Sequence, residues 1–187
     1  MTLPDSFALY IGPTLGREGG YSDNPNDSGG PTMWGITQVR ARAAGYMGEM
    51  RDLARDRAVE IYRLFFWQQP QFDRIDAISH DIAMLCLDFG VNMGPQWPGK
   101  FIQRALNVLN RSGQDWPSIN RDGNLGAMSR AALQSYKDRR GGLGMEVLVD
   151  MMRAQASVRY IEIAEGAPKN EDFEFGWQSQ RAFSLAK

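Results

Sequence analysis

Residues 80–92, HDIAMLCLDFGVN, are apolar on most sides when wound as an α-helix. A helix of that kind belongs in the middle of a core, so the rest of the chain must be arranged to cover it. Ser79 stands where an N-cap is needed. Other segments supply the covering faces. Phe7, Ile11 and Leu15 space a first helix over residues 7–17, which Pro13 should kink or shorten. Ala58, Ile61, Tyr62 and Phe65 share one face of a helix over residues 52–67. Phe101, Ile102, Ala105, Leu106 and Leu109 make another. NRDGNLGAMSRAAL reads as a turn followed by a helix start. Leu148, Met151 and Met152 point inward from a long helix over residues 143–164, and Trp177, Arg181 and Phe183 suit a short last one. There is no βαβ rhythm, repeat or low-complexity tract. PTMWGIT, residues 31–37, reads as part of a small hairpin. The expected class is all-α, with one β-hairpin.

The bulk numbers narrow the function. A chain of 187 residues suits one domain, 1–187, and 43% hydrophobic with 23% charged residues is globular composition. A net charge of −1 gives no wholesale attraction to nucleic acid or anionic membrane, and neither is expected as a partner. One cysteine, Cys86, excludes a disulfide framework, and one histidine, His80, excludes a zinc centre built on several imidazoles. No metal or other cofactor is expected. MTLPDSFALYIGPTLGREGG lacks a basic n-region, and its apolar run is broken by Gly12 and Pro13. The expectation is synthesis in the cytoplasm without a signal peptide and no stable membrane insertion. Cys86 and the Met-rich LGMEVLVDMM read as core, and RDLARDR as a solvated helix face. His80 falls near a helix N-terminus with no catalytic duty.

REGGYSDNPNDSGGPTMWGIT, residues 17–37, holds five Gly and two Pro but carries Glu18, Asp27 and Thr32 at a spacing of Glu-x8-Asp-x4-Thr. Cleaving a glycosidic bond takes a carboxylic acid to protonate the leaving oxygen and a second group to hold water or attack the sugar. The acid must stay protonated near neutral pH, which favours a carboxyl at the edge of a core. Glu18, at the end of an amphipathic helix, fits that description. Gly19 and Gly20 let a bulky sugar approach the backbone. Asp27 can face Glu18 if the turn residues between them double the chain back. The plainer alternative is a solvated helix-end Glu and an Asx-turn Asp.

The same stretch resembles the signature of glycoside hydrolase family 108, at Glu18, Gly19, Gly20, Tyr21, Asn26, Asp27, Gly29, Gly30, Thr32, Gly35, Ile36 and Thr37. AVEIYRLFFW is similar to that family's helix at Ala58, Ile61, Tyr62 and Trp67, and LDFGVNMG to its next motif at Asp88, Val91, Asn92 and Gly94. IQRALN, RDGNLGAMS and the tail GWQSQR resemble the predicted peptidoglycan-binding half. Departures are Ala127 in place of Pro, Ser129 in place of Thr, and extra length near residues 107–120. The resemblance implies a lysozyme-like fold with the hairpin beside the cleft, a catalytic half over 1–94 and a helical half over 95–187. It implies N-acetylmuramidase activity, lysozyme-type hydrolysis of the MurNAc–GlcNAc β-1,4 bond of bacterial peptidoglycan, as in phage endolysins, with Glu18 the catalytic acid.

The spacing is also similar to the Glu-x8-Asp-x5-Thr of phage-type lysozymes, in which Asp27 and Thr32 would hold the water of an inverting reaction. Tyr21 and Trp34 could stack on sugar rings; Trp34 could equally pack the hairpin onto the helices. Asn92 could hydrogen-bond an N-acetyl group or cap its helix, and Asp88 could face the cleft or act as a buried acceptor. Export through a holin or similar pore to the periplasmic wall completes this reading. Its rivals are a lytic transglycosylase and a non-catalytic peptidoglycan-binding phage protein.

Overall fold

The structure is a computed structural model that describes residues 7, 10, 11, 20–23 and 30–183. The chain divides into two compact units, Met1–Gln69 and Pro70–Lys187. In the first, Phe7, Tyr10 and Ile11 are helical, and Phe7 and Ile11 are buried. Strands β1 (Thr32–Met33) and β2 (Ile36–Thr37) pair antiparallel, with Thr32 opposite Thr37. Trp34 (φ 55°) and Gly35 (φ 71°) form the turn between them. Two positive φ angles are what a two-residue type I′ turn requires, and they match the twist of the strands. The Thr37 side chain accepts from the Arg40 N–H at 3.4 Å and caps α1 (Gln38–Ala43).

A single 3₁₀ turn, Met50–Asp52, leads to α2 (Arg55–Arg63), which continues as a wide π turn, Leu64–Gln68. That turn changes the expected face. In a regular α-helix Phe65 would repeat the position of Ile61. The π turn holds one residue more, so the repeat falls on Phe66, which is buried while Phe65 is half-buried. The Arg40 guanidinium lies 4.8 Å from the Phe66 ring centroid and 5.8 Å from that of Phe65.

The second unit is built of helices and the loops between them: α3 (Phe72–Asp76), α4 (His80–Met93), α5 (Gln96–Leu109), α6 (Ala127–Glu165) and α7 (Glu171–Trp177) with a wide turn at Gln178–Ala182. The residues of α4 behave as their composition demands. Ser79 caps it, and Ile82, Ala83, Cys86, Leu87, Phe89, Gly90 and Met93 are buried. Gly94 (φ 102°), not Asn92, ends the helix, its N–H bonded to the Gly90 carbonyl. No helix among the described residues is long and apolar enough to cross a membrane.

The element α6 turns a corner at Gly141, whose φ of 59° and ψ of −154° only glycine adopts readily. The Tyr136 hydroxyl donates to the Gly144 carbonyl at 2.7 Å across this corner. A straight helix would separate those two residues by about 12 Å along its axis. Beyond the corner, Gly144, Leu148, Met152, Ala156, Tyr160 and Ala164 form a buried stripe at every fourth residue. The Met-rich stretch is therefore core only in part: Leu143 is 73% exposed and Val147 41%.

The loop between α5 and α6 is fastened to α5 by close backbone contact. A Cβ on Gly99 would lie 2.1 Å from the Gly123 carbonyl oxygen. Gln103, 1% exposed, reads the same loop. Its two Nε2 N–H groups are shared among three acceptors, Asp122 Oδ1 (2.9 Å), the Asn124 carbonyl (2.9 Å) and Ser129 Oγ (3.1 Å), and its Oε1 accepts from the Gly123 N–H (2.8 Å). The Gln103 amide, then the Asn124 N–H, hold the Asp122 carboxyl below the usual carboxylate range.

Candidate functional site

Of the residues singled out in the sequence, Tyr21, Thr32 and Trp34 come together around the hairpin. Glu18 and Asp27 lie outside the described residues. Ser22 and Thr32 exchange backbone hydrogen bonds, Ser22 N–H to the Thr32 carbonyl at 2.9 Å and Thr32 N–H to the Ser22 carbonyl at 2.7 Å. Thr32 thus has a backbone partner on each side, Ser22 and Thr37, and the segment carrying Asp27 begins and ends at the Ser22–Thr32 pair. The Thr32 hydroxyl donates to the Gly30 carbonyl at 3.4 Å, long for an O–H···O bond, so the hydroxyl keeps most of its capacity for another partner.

Trp34 is fixed from two directions. Its indole N–H donates to the Leu53 carbonyl at 2.8 Å, and its own carbonyl accepts from the Tyr62 hydroxyl at 3.2 Å. The bond to Leu53 packs the hairpin against the turn that precedes α2. The bond from Tyr62 secures a non-glycine residue at positive φ. Tyr21 is 39% exposed; its hydroxyl donates to Asp23 Oδ2 at 3.3 Å, and the Arg51 guanidinium lies 5.2 Å from its ring centroid. Arg51, read in the sequence as one charge on a solvated face, is thus part of this surface. The buried Leu53 and Tyr62 support it from beneath, through their bonds to Trp34. None carries a local signal, because each meets its partner only once the chain has folded.

Asn92 belongs to the second unit. It is exposed near the end of α4, and its Nδ2 donates to the Asp88 carbonyl at 2.7 Å. Asp88 accepts a hydrogen bond from Arg181, a partly buried ion pair that ties α4 to the last turn of the chain. Of the two expectations for Asp88, the acceptor role is the one observed. His80 Nδ1 lies 3.0 Å from Asp76 Oδ1 at the start of α4. Burial pushes the Cys86 thiol far up, which keeps it protonated and unreactive. Among the described residues no group of three or more His, Cys, Asp or Glu side chains is placed to hold a metal ion.

The described residues are mostly helical with one small two-stranded antiparallel hairpin, a mostly helical, lysozyme-like fold. Residues 11–94 match the family model Glycosyl hydrolase 108, and residues 97–182 match Predicted Peptidoglycan domain. The structure of SagA from Brucella abortus has a similar fold, with a TM-score of 0.65 and 24% sequence identity over 97% of this chain and 94% of that one. No match is found among curated proteins. The chain thus combines a glycosyl hydrolase 108 domain in its first half with a predicted peptidoglycan domain in its second. It is a glycoside hydrolase that acts on peptidoglycan.

Proposed function

We propose that the chain is an N-acetylmuramidase, a lysozyme-type endolysin that hydrolyses the MurNAc–GlcNAc β-1,4 bond with Glu18 as general acid. The match of residues 11–94 to the glycosyl hydrolase 108 model carries this reading, because that segment contains Glu18, Asp27 and Thr32. In this reading Glu18 protonates the leaving oxygen while Asp27 and Thr32 hold the attacking water on the opposite face of the sugar, giving inversion. The geometry of Thr32 favours the role. Its backbone is held on both sides, and among the described residues its hydroxyl makes one long bond, to Gly30. A threonine hydroxyl can orient water but has no evident duty beside a carboxylate nucleophile.

Tyr21 offers a ring for a sugar, in competition with Arg51 for one of its faces. Trp34 has its N–H committed to Leu53, so any sugar contact would use the ring alone. Asn92 uses its Nδ2 on Asp88, and its Oδ1 suits the N–H of an N-acetyl group. The two halves acting as one muramidase domain over 1–187, and delivery to the wall through a holin-like pore, belong to the same proposal.

Mass spectrometry of digested peptidoglycan is the test. New reducing MurNAc ends support hydrolysis. Anhydro-muropeptides would make the enzyme a lytic transglycosylase, and saturable wall binding without product would make it a binding protein. Proton NMR of the first-formed reducing end adds the stereochemistry: an α-anomer supports inversion, and a β-anomer would assign Asp27 as the nucleophile.

A further inference from the structure

The second unit contains a cleft of about 420 Å³ between α5 and the part of α6 after its corner, with Arg121 contributed by the connecting loop. That volume lies in the range of pockets that hold small ligands, about 300–1,000 Å³. Its lining is rich in cations: Lys100, Arg104, Arg121 and Arg159, against one carboxylate, Glu162. Glu162 is already paired, with Arg159 Nη1 at 2.8 Å. Arg104 and Arg121 are exposed and have no ion pair among the described residues. Trp97 is engaged by Arg159 at 4.0 Å and Lys100 at 5.0 Å from its ring centroid. Its ring therefore orients cations and is not free to serve as a bare platform for a sugar.

Two buried atoms in the lining have no hydrogen-bond partner among the described residues. Arg159 Nε is a donor with nothing to donate to. Gln155 spends its Nε2 on the Phe101 and Met151 carbonyls, both at 3.1 Å, and its Oε1 is left with nothing to accept. Buried polar atoms without partners are costly, so a ligand that completes both is favoured. The complement is an anion for Arg159 beside an N–H for Gln155. A peptide bearing free carboxylates offers both; a phosphate polymer offers the charge but no N–H donor.

We propose that this cleft binds the acidic peptide stem of peptidoglycan through its carboxylates and backbone N–H groups, and so holds the substrate by its peptide while the glycan is cut. The inference rests on the reading of the chain as a peptidoglycan hydrolase and adds the part of the substrate that the second half reads.

The probe is a fluorescently labelled stem tetrapeptide, L-Ala-γ-D-Glu-L-Lys-D-Ala, followed by anisotropy, beside the same peptide with its carboxylates converted to amides. The wild-type chain should bind the acid form saturably and the amide form about tenfold more weakly, the worth of one charge-assisted hydrogen bond. The double variant Arg104→Ala/Arg121→Ala, both exposed positions, should lose about tenfold in affinity for the acid form and raise KM on intact peptidoglycan. Its kcat, and its turnover of peptide-stripped glycan strands, should stay unchanged. Equal affinity for acid and amide forms, absence of saturable binding, or tighter binding of poly(glycerol phosphate) than of the peptide would overturn the proposal. Peptide binding without cleavage of stripped strands would leave the cleft assignment standing and remove the muramidase reading; the reverse result would do the opposite.

Discussion

The hairpin of residues 32–37 and the loop that Gln103 grips are both short, and both depend on side chains bonded to backbone. They are held in different ways. The hairpin is tied at its turn by two separate, partly buried bonds, from the Trp34 indole to Leu53 and from the Tyr62 hydroxyl to Trp34. The loop is tied by one buried amide that reaches four partners, two N–H groups shared among three acceptors and one carbonyl accepting from Gly123. Loss of the Gln103 amide would leave the buried Gly123 N–H and Ser129 hydroxyl short of a partner, while the exposed Asp122 and Asn124 can turn to water. The hairpin turn is held by two bonds against four partners for the loop, so it is the region expected to open locally at the lower cost. The loop region serves as a fixed frame.

The largest expected effect separates chemistry from stability on the hairpin side. Glu18→Gln should reduce turnover of peptidoglycan by roughly 10²–10⁴-fold, the range of general acid catalysis, with an unchanged Tm. Retention of more than about a tenth of the activity would remove Glu18 from the acid role. Gln103→Ala should do the reverse to the frame. It strips partners from Asp122, Gly123, Asn124 and Ser129, and should lower unfolding stability by about 2–4 kcal/mol in urea titration. A loss below about 1 kcal/mol would mean that the two regions are held alike.

Trp34→Phe keeps the ring and deletes only the donor to Leu53, so it should cost about 1 kcal/mol in the same titration. A cost as large as that of Gln103→Ala would erase the contrast. The smallest effect is a pH dependence. Asp122 titrates below its ordinary value in the folded chain, so on acidification the unfolded chain takes up its proton first. The contribution of Asp122 to stability is complete above about pH 4 and is lost as the pH falls through the depressed folded value. Asp122→Asn should flatten the dependence of Tm on pH over that acid range; an unchanged slope would show that Gln103 holds the loop without help from this charge.

The helical core was legible because burial follows period. Ala58, Ile61 and Tyr62, or Phe101, Ile102, Ala105 and Leu106, announce their faces by spacing alone. Spacing failed where the backbone left the regular α-helix. The π turn moved the buried position from Phe65 to Phe66, and the corner at Gly141 exposed Leu143. The hairpin was legible as a hairpin, but its turn was not, since tryptophan at positive φ contradicts local preference and is held by tertiary bonds. At the candidate site, Thr32, Tyr21 and Trp34 were found by their place in a motif. Arg51 was passed over because its partner, Tyr21, lies thirty residues away in the sequence.

The corner at Gly141 also bears on how this sequence can change over evolutionary time. Adding one residue to a helix rotates everything beyond it by about 100° and moves its inward side chains off their partners. In an unbroken helix spanning the 39 residues of Ala127–Glu165, a single codon gained near the start would scramble the stripe from Gly144 to Ala164. With the corner in place, the rotational error stops at residue 141. The arm that meets the Gln103 loop and the arm that lines the cationic cleft can each gain or lose length without putting the other out of phase, and the position that must not vary is the glycine itself.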